Sequence, residues 1–338
     1  MIKIGLLGCG VVASYGHLPA IVNVPGLSLT AVYDPNAERA RQAAEKFGAA
    51  QWFTNPDAFF ASGIDAISVT SAAPFHKENI LDAARYGKHA ICEKPLALED
   101  SDAREMIEAM RSAGLMLFTG FCYRFSPSAL KIKELIAAGA IGAPKSLRLI
   151  YDWDCHGKYE RDQPGPLKIN ERRAGRMYEG GPMIDCGTHQ IDLARWWMGD
   201  VVQSTGIGAW VDNYEAPDHI YMHMDHACGA HTLVEISYSH GYTAKEPRSE
   251  FVYEIVGADG VIRYDRNAQS FDIRTAAGTQ TLEWHHEKNF EEMYRAFAHA
   301  LETGDPGHLP SGEDGLLATV LARRGTQEAI ERRPPHKG

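Results

Sequence analysis

The apolar run "IKIGLLG" (2–8) leads straight into Gly8-x-Gly10-x-x-Ala13, within "GLLGCGVVASYG". Few folds use that combination. A strand that stops at a glycine can turn sharply, a second glycine lets another group approach the backbone, and a small residue at 13 lets the next helix pack on the strand. The start of that helix offers unpaired N–H groups, a natural seat for a pyrophosphate. Such a pattern is weak alone and gains meaning from its place between a strand and a crossover helix. Asp34 closes the next apolar run, 21 residues after Ala13. A carboxylate there suits the ribose diol of NAD and repels the 2′-phosphate of NADP. Pro35 and Asn36 follow, with no adjacent arginine to take a phosphate. NAD rather than NADP is the expected cofactor. Pro19 cannot sit inside an unbroken helix, so the phosphate-facing helix should be short, with a second turn near Leu18.

The rest of the first third keeps the same rhythm. "LSLTAVYD" (27–34) and "DAISVTS" (65–71) read as strands, followed by "HAIC" (89–92) and "LMLFTG" (115–120). Helical segments separate them, among them 37–48, ended by Gly48, and 77–88. Alternation of this kind predicts parallel strands with helices on both faces. Ligands in that architecture bind beyond the carboxyl ends of the strands. Glu93, Lys94 and Pro95 fall at such an end.

From about residue 146 the pattern changes to consecutive strand-like runs, from "SLRLIYDWD" to "SFDIRT", with few helices between. These predict an open sheet, antiparallel or mixed. Helices are expected near 126–138, 184–198, 289–303 and 312–331. With 338 residues the chain suits two domains. The expected division is 1–122, a dinucleotide-binding domain, and 123–338, a substrate-binding and oligomerisation domain that includes the C-terminal helices.

Two polar groupings stand out in the second part. "GGPMIDCGTHQIDLARWWMG" (180–199) turns into a helix on which Asp185 and His189 lie four apart, with Asp192 and Trp196 further along the same face. An acid beside an imidazole can fix its tautomer and tune its basicity. The same spacing also suits a capping Asp and a core His. Asp152, Asp154 and His156 alternate along a strand, and with Asp185 and His189 they could offer O and N ligands to zinc or manganese. The spacing fits no tight metal motif, so no metal site is expected. His219, Tyr221, His223 and Asp225 also alternate; a solvated or subunit-facing sheet surface accounts for them.

The net charge of −10 disfavours nucleic acid as a partner, since phosphate binding needs a concentrated basic surface. No apolar run reaches ~18 residues, so no membrane span is expected. No basic-then-apolar leader precedes the first strand. Six cysteines without C-x-x-C spacing read as reduced thiols of a cytoplasmic protein.

Five stretches together resemble the glucose–fructose oxidoreductase / inositol dehydrogenase / MocA family over nearly the whole chain. They are "GLLGCGVVA", "AVYDPNAERA", "SVTSAAPFHKENILDAARYGKHAICEKPLAL", "GFCYRFSP" and "GGPMIDCGTHQIDLARWWMG". The resemblance implies a Rossmann domain followed by an α/β domain with a large open, mostly antiparallel sheet that often packs on another subunit. A homodimer or homotetramer is the corresponding expectation. It further implies an NAD-dependent oxidoreductase acting on a hydroxyl-bearing carbon of a sugar, inositol or related polyol. Lys94 would hydrogen-bond the reacting hydroxyl, with Pro95 shaping the turn, often through a cis bond. His189 would be the general base, and Asp185 would orient the substrate or assist His189. The cofactor would meet Gly8, Gly10, Val11, Val12, Asp34, Ser71, His76, Glu93, Lys94 and Arg124. The substrate would meet Lys94, Tyr123, His156, Arg172, Arg176, Asp185 and His189.

The chain departs from the family in having Gly180-Gly181-Pro182 where three glycines are frequent. The segment 155–180 is long and rich in basic residues, with Lys168, Arg172, Arg173 and Arg176 as candidate contacts. It suits either a carboxylated substrate or a solvated loop. Two other functions fit the same residues: a non-catalytic NAD sensor, or an enzyme that retains and recycles its cofactor. Joint retention of Lys94, Asp185 and His189 favours catalysis over sensing.

Overall fold

The computed structural model describes residues 1–160, 165–166, 168–241 and 243–334. The described chain forms two compact units: Met1–Phe125 with Lys288–Thr319, and Ser126–Glu287 with the segment from Val320.

The first unit opens with β1 (Ile2–Leu7), α1 (Leu18–Asn23), β2 (Leu27–Tyr33), α2 (Ala37–Phe47), β3 (Gln51–Phe53) and α3 (Pro56–Phe60). It continues with β4 (Ala66–Val69), α4 (His76–Arg85), β5 (His89–Cys92), α5 (Asp100–Ser112) and β6 (Leu117–Thr119). Its six strands run parallel in the order β3-β2-β1-β4-β5-β6. This is the doubly wound order of dinucleotide-binding folds. Residues 4–7 of β1 and all of β4 are buried, as expected of central strands covered on both faces. Asn36 caps α2 by accepting the Arg39 N–H, and Gly48 ends it in the left-handed region.

The second unit contains α6 (Pro127–Ala137), β7 (Pro144–Asp152), α7 (Glu171–Tyr178), α8 (Thr188–Met198), β8 (Val201–Ala209), β9 (His219–His226) and β10 (His231–Ser237). There follow β11 (Glu250–Gly257), β12 (Gly260–Asp265), β13 (Ser270–Thr275) and β14 (Gly278–Thr281). The last helices of the chain are α9 (Phe290–Thr303) and α10 (Gly312–Glu331). The eight strands form one sheet in the order β14-β13-β12-β11-β7-β10-β9-β8. Every pairing is antiparallel except β7 with β10. On β9 the side chains of Ile220, Met222, Met224 and His226 are buried, whereas His219, Tyr221, His223 and Asp225 point to the opposite, more open face.

The C-terminal helices do not all belong with the second unit, as the division at residue 122 assumed. The segment 288–319 packs with the first. The Tyr294 hydroxyl bonds Ser68 on β4 and His17, Phe290 fills the space beside Gly16, and Phe118 bridges Ser311. A second difference concerns Pro19. The chain is helical from Val11, widens into a π turn over Ala13–His17, and continues as α1 with Pro19 near its start. The shifted hydrogen bond, Leu18 N–H to Ala13 O, lies next to the proline that has no N–H to give. A matching π turn, Met183–Gly187, follows Pro182 and precedes α8.

Candidate active site

The end of β1 explains its glycines. Gly8 has φ +92°, and a Cβ there would lie 2.5 Å from the Ser71 backbone nitrogen. The turns after β1 and β4 therefore touch, and only glycine fits. At Gly10 a Cβ would meet nothing within 4 Å. That glycine fills no packing need; the space it leaves is where a phosphate could approach the backbone. Val11 is exposed and Val12 half-buried at the same helix start.

Asp34 is buried at the end of β2. Its carboxylate accepts the Cys9 N–H at 3.0 Å and the Asn36 N–H at 2.8 Å. Arg39 Nε lies 3.3 Å from the same carboxylate. No arginine adjoins Asp34 in sequence; the first turn of α2 brings one back. Glycine turn and acid together fit a dinucleotide. Arg39 is a largely exposed cation beside that acid.

Glu93 and Lys94 extend from β5. The Lys94–Pro95 bond is cis. Glu93 is buried, with Oε1 2.9 Å from His17 Nε2 and Oε2 accepting the Lys94 N–H at 3.2 Å. His17 Nδ1 is 2.7 Å from the Tyr294 hydroxyl, which lies 2.6 Å from Ser68 Oγ. Burial works against the Glu93 carboxylate, yet the His17 hydrogen bond and the charges of His17 and Lys94 outweigh it, and its pKa falls below the ordinary value. A buried anion is thus fixed directly behind half-buried Lys94. The signal for this chain, a histidine within the first helix, is too general to have pointed to it.

Other expected cofactor residues brace the loops. His76 is buried, with Nδ1 3.0 Å from Pro95 O and Nε2 3.0 Å from Ser71 O. Burial holds its pKa down. It ties the turn after β4 to the turn after β5. The Ser71 hydroxyl donates to Asn79 at 2.8 Å. Tyr123 and Arg124 lie buried in a short 3₁₀ turn, where Arg124 pairs with Asp314 of α10 at 3.4 Å.

In the second unit, Asp185 lies within the π turn and His189 in the first turn of α8, both buried. The Asp185 carboxylate accepts from the Arg176 guanidinium and from the buried Tyr238 hydroxyl. Arg176 comes from α7, a helix within the basic segment expected to be loop. The basic residues of that segment are largely neutralised by carboxylates. Arg173 is fully buried against Asp218 at 2.7 Å, and Lys168 lies 3.0 Å from Glu171 and 3.3 Å from Glu160. Arg172 is exposed. Residues 161–164 and 167 of the proposed substrate-covering loop lie outside the described residues. Gly180 (φ +114°) and Gly181 (φ +76°) make the turn into Pro182 with backbone that side chains disfavour.

The alternation expected for Asp152, Asp154 and His156 is not kept. β7 ends at Asp152, and Cys155 and His156 take left-handed backbone (φ 40° and 69°), with the His156 ring edge-on to Trp153. Asp152 instead lies near His219 and Glu235. Two of the buried thiols are poor nucleophiles. Burial pushes Cys9 up to about 12, helped by Asp34, and pushes Cys155 up to about 12.

Comparison with known proteins gives a consistent picture. Residues 2–121 match the family model described as "Oxidoreductase family, NAD-binding Rossmann fold", and residues 129–263 match the GFO/IDH/MocA C-terminal domain. The chain is 28% identical to myo-inositol 2-dehydrogenase of Thermotoga maritima, across 98% of this chain and 97% of that protein. It is 29% identical to scyllo-inositol 2-dehydrogenase (NAD(+)) of Bacillus subtilis, across 77% and 73%. A solved structure of a probable dehydrogenase from Thermotoga maritima superposes with a TM-score of 0.80 at 26% identity, covering 98% of each chain.

Proposed function

Because the chain belongs to the Gfo/Idh/MocA oxidoreductase family, we propose that it is an NAD-dependent dehydrogenase of a sugar, inositol or related polyol. The observation that carries the reading is the set retained in one chain: the Gly8–Gly10 turn with Asp34, Lys94 at the end of β5, and Asp185 with His189 at the start of α8.

Bound NAD supplies the hydride acceptor. Gly8, Gly10 and the helix start at Val11 and Val12 would hold its pyrophosphate, and Asp34 would hold its ribose. The Lys94 ammonium donates a hydrogen bond to the reacting hydroxyl and stabilises negative charge developing on that oxygen. His189 takes the hydroxyl proton. Asp185, fixed by Arg176 and Tyr238, orients the substrate or assists His189. Glu93, anchored by His17, holds the backbone of Lys94. Arg173, Arg176 and Lys168 already have carboxylate partners, which favours an uncharged polyol over a sugar acid. A screen for NADH formation over inositols, aldoses, sugar acids and glycosides tests the reading. Activity confined to sugar acids would overturn the assignment of an uncharged substrate, and inactivity with every class would count against the dehydrogenase.

Cofactor preference is a separate test. The native protein should bind NAD more tightly than NADP in titration calorimetry. Asp34→Ser removes the repulsion and frees Arg39, and should narrow that preference by about tenfold or more, equivalent to about 1.4 kcal/mol. Tighter binding of NADP by the native protein would refute the role given to Asp34.

The second unit also supports an assembly. Ile207 and Tyr221 face each other in register on β8 and β9, and both are exposed. Val256 is exposed on the same face. Large open sheet faces are usually covered. We expect a homodimer or homotetramer by light scattering at micromolar concentration; a monomer would contradict this. Six cysteines, none of them in a disulfide, fit the reducing cytoplasm. Among the described residues no helix is long and apolar enough to cross a membrane.

A further inference from the structure

The register of three neighbouring strands assembles a polar cluster apart from the residues assigned to catalysis. Asp152 on β7 and His219 on β9 are both aligned with Ser237 on β10, the strand between them. Asp152 and His219 therefore sit about 10 Å apart along the sheet at the backbone. The small Ser237 leaves room for their side chains to converge over it. Glu235, two residues back on β10, shares that face. The ligand-capable atoms of Asp152, His219 and Glu235 all lie within 4.8 Å of one another.

Two features make this more than a surface ion pair. Asp152 is 3% exposed, and its Oδ1 has no hydrogen-bond partner. His219 Nε2 lies 3.2 Å from Glu235 Oε1. Two carboxylates and an imidazole nitrogen thus converge, with the buried Asp152 Oδ1 unpartnered among them. His240 approaches Asp152 no closer than 3.9 Å, and Tyr221 lies beside Glu235. An ion between them would give the buried Asp152 oxygen the partner it lacks.

We propose that Asp152, His219 and Glu235 bind one divalent transition-metal ion of the zinc class on the sheet of the second unit. The donor set is two oxygens and one nitrogen, which suits borderline ions such as Zn²⁺ better than the all-oxygen preference of Ca²⁺ or Mg²⁺. Three protein ligands leave at least one coordination position for water or a further group. All three residues belong to the second unit, whereas the glycine turn and Asp34 belong to the first.

The test is calorimetric titration of the full chain, stripped with a chelator and dialysed, with Zn²⁺ as the probe. One Zn²⁺ per chain is expected. Asp152→Asn and His219→Gln should each weaken binding at least about tenfold, with NAD affinity unchanged. Substituting His231, part of a more exposed group with His223 and Asp225, should leave that binding in place. Absence of Zn²⁺ binding overturns the proposal. So does binding that survives both His219→Gln and Glu235→Gln, or that is lost with His231→Gln instead. If Asp152→Asn fails to fold, the other two ligand variants carry the test. The visible spectrum of the Co²⁺-loaded native protein, altered by His219→Gln, gives a second readout.

Discussion

Replacing Lys94 by alanine should lower turnover by roughly 10²–10³ and leave NAD affinity almost unchanged. The ammonium is assigned to an oxygen that gains charge only as the hydride leaves, so its loss falls on the transition state rather than on cofactor binding. The backbone around it should survive the change. The Lys94 N–H is held by Glu93, Glu93 is held by His17, and His76 ties the following turn to Ser71 and Pro95. None of those contacts uses the lysine side chain. Turnover, NAD titration and melting temperature on the same preparation check the expectation. Near-normal turnover in a folded Lys94→Ala protein would return Glu93-Lys94-Pro95 to the status of an ordinary turn.

His189→Ala should lower turnover by roughly 10²–10⁴ and also change its pH dependence. A base must be unprotonated to accept the hydroxyl proton, so activity falls on the acid side as the imidazole takes up a proton. Without His189 that acid limb should flatten; in Lys94→Ala it should persist. His189 is buried, so its truncation also leaves a cavity and lowers stability. His189→Gln, closer in volume, separates the two effects. Turnover restored by glutamine, or an acid limb unchanged in a folded variant, would show that His189 serves packing and not proton transfer.

The parts of the fold visible in the sequence were those governed by short-range patterns. Apolar runs alternating with amphipathic segments gave the parallel sheet, and consecutive runs gave the largely antiparallel one. Asp34 and Lys94 were legible because a strand end is a local event. What stayed hidden depends on tertiary return. Arg39 reaches Asp34 only because Asn36 turns the chain into α2. Arg176 reaches Asp185 from an eight-residue helix whose buried residues are only Arg173 and Met177, too few to stand out as a core-facing stripe. The parallel pairing of β7 with β10 joins strands separated by some 80 residues of chain. The wide turns at Ala13–His17 and Met183–Gly187 shift hydrogen-bond register without any composition signal beyond a nearby proline.

The contact between Tyr294 and His17 has a consequence for the order in which the molecule can be made. Synthesis delivers the six parallel strands first, but the tyrosine that meets Ser68 and His17 emerges some 170 residues after Phe125. At about 5–20 residues per second that delay is roughly 10–30 s. Throughout it, Glu93 and His17 must share a half-built interior whose last wall, α9, has not left the ribosome. The amino-terminal sheet is therefore a discontinuous folding unit that matures only near the end of translation. A fragment stopping near residue 122 should expose the surface that Phe290 and Phe297 cover and prove prone to aggregation.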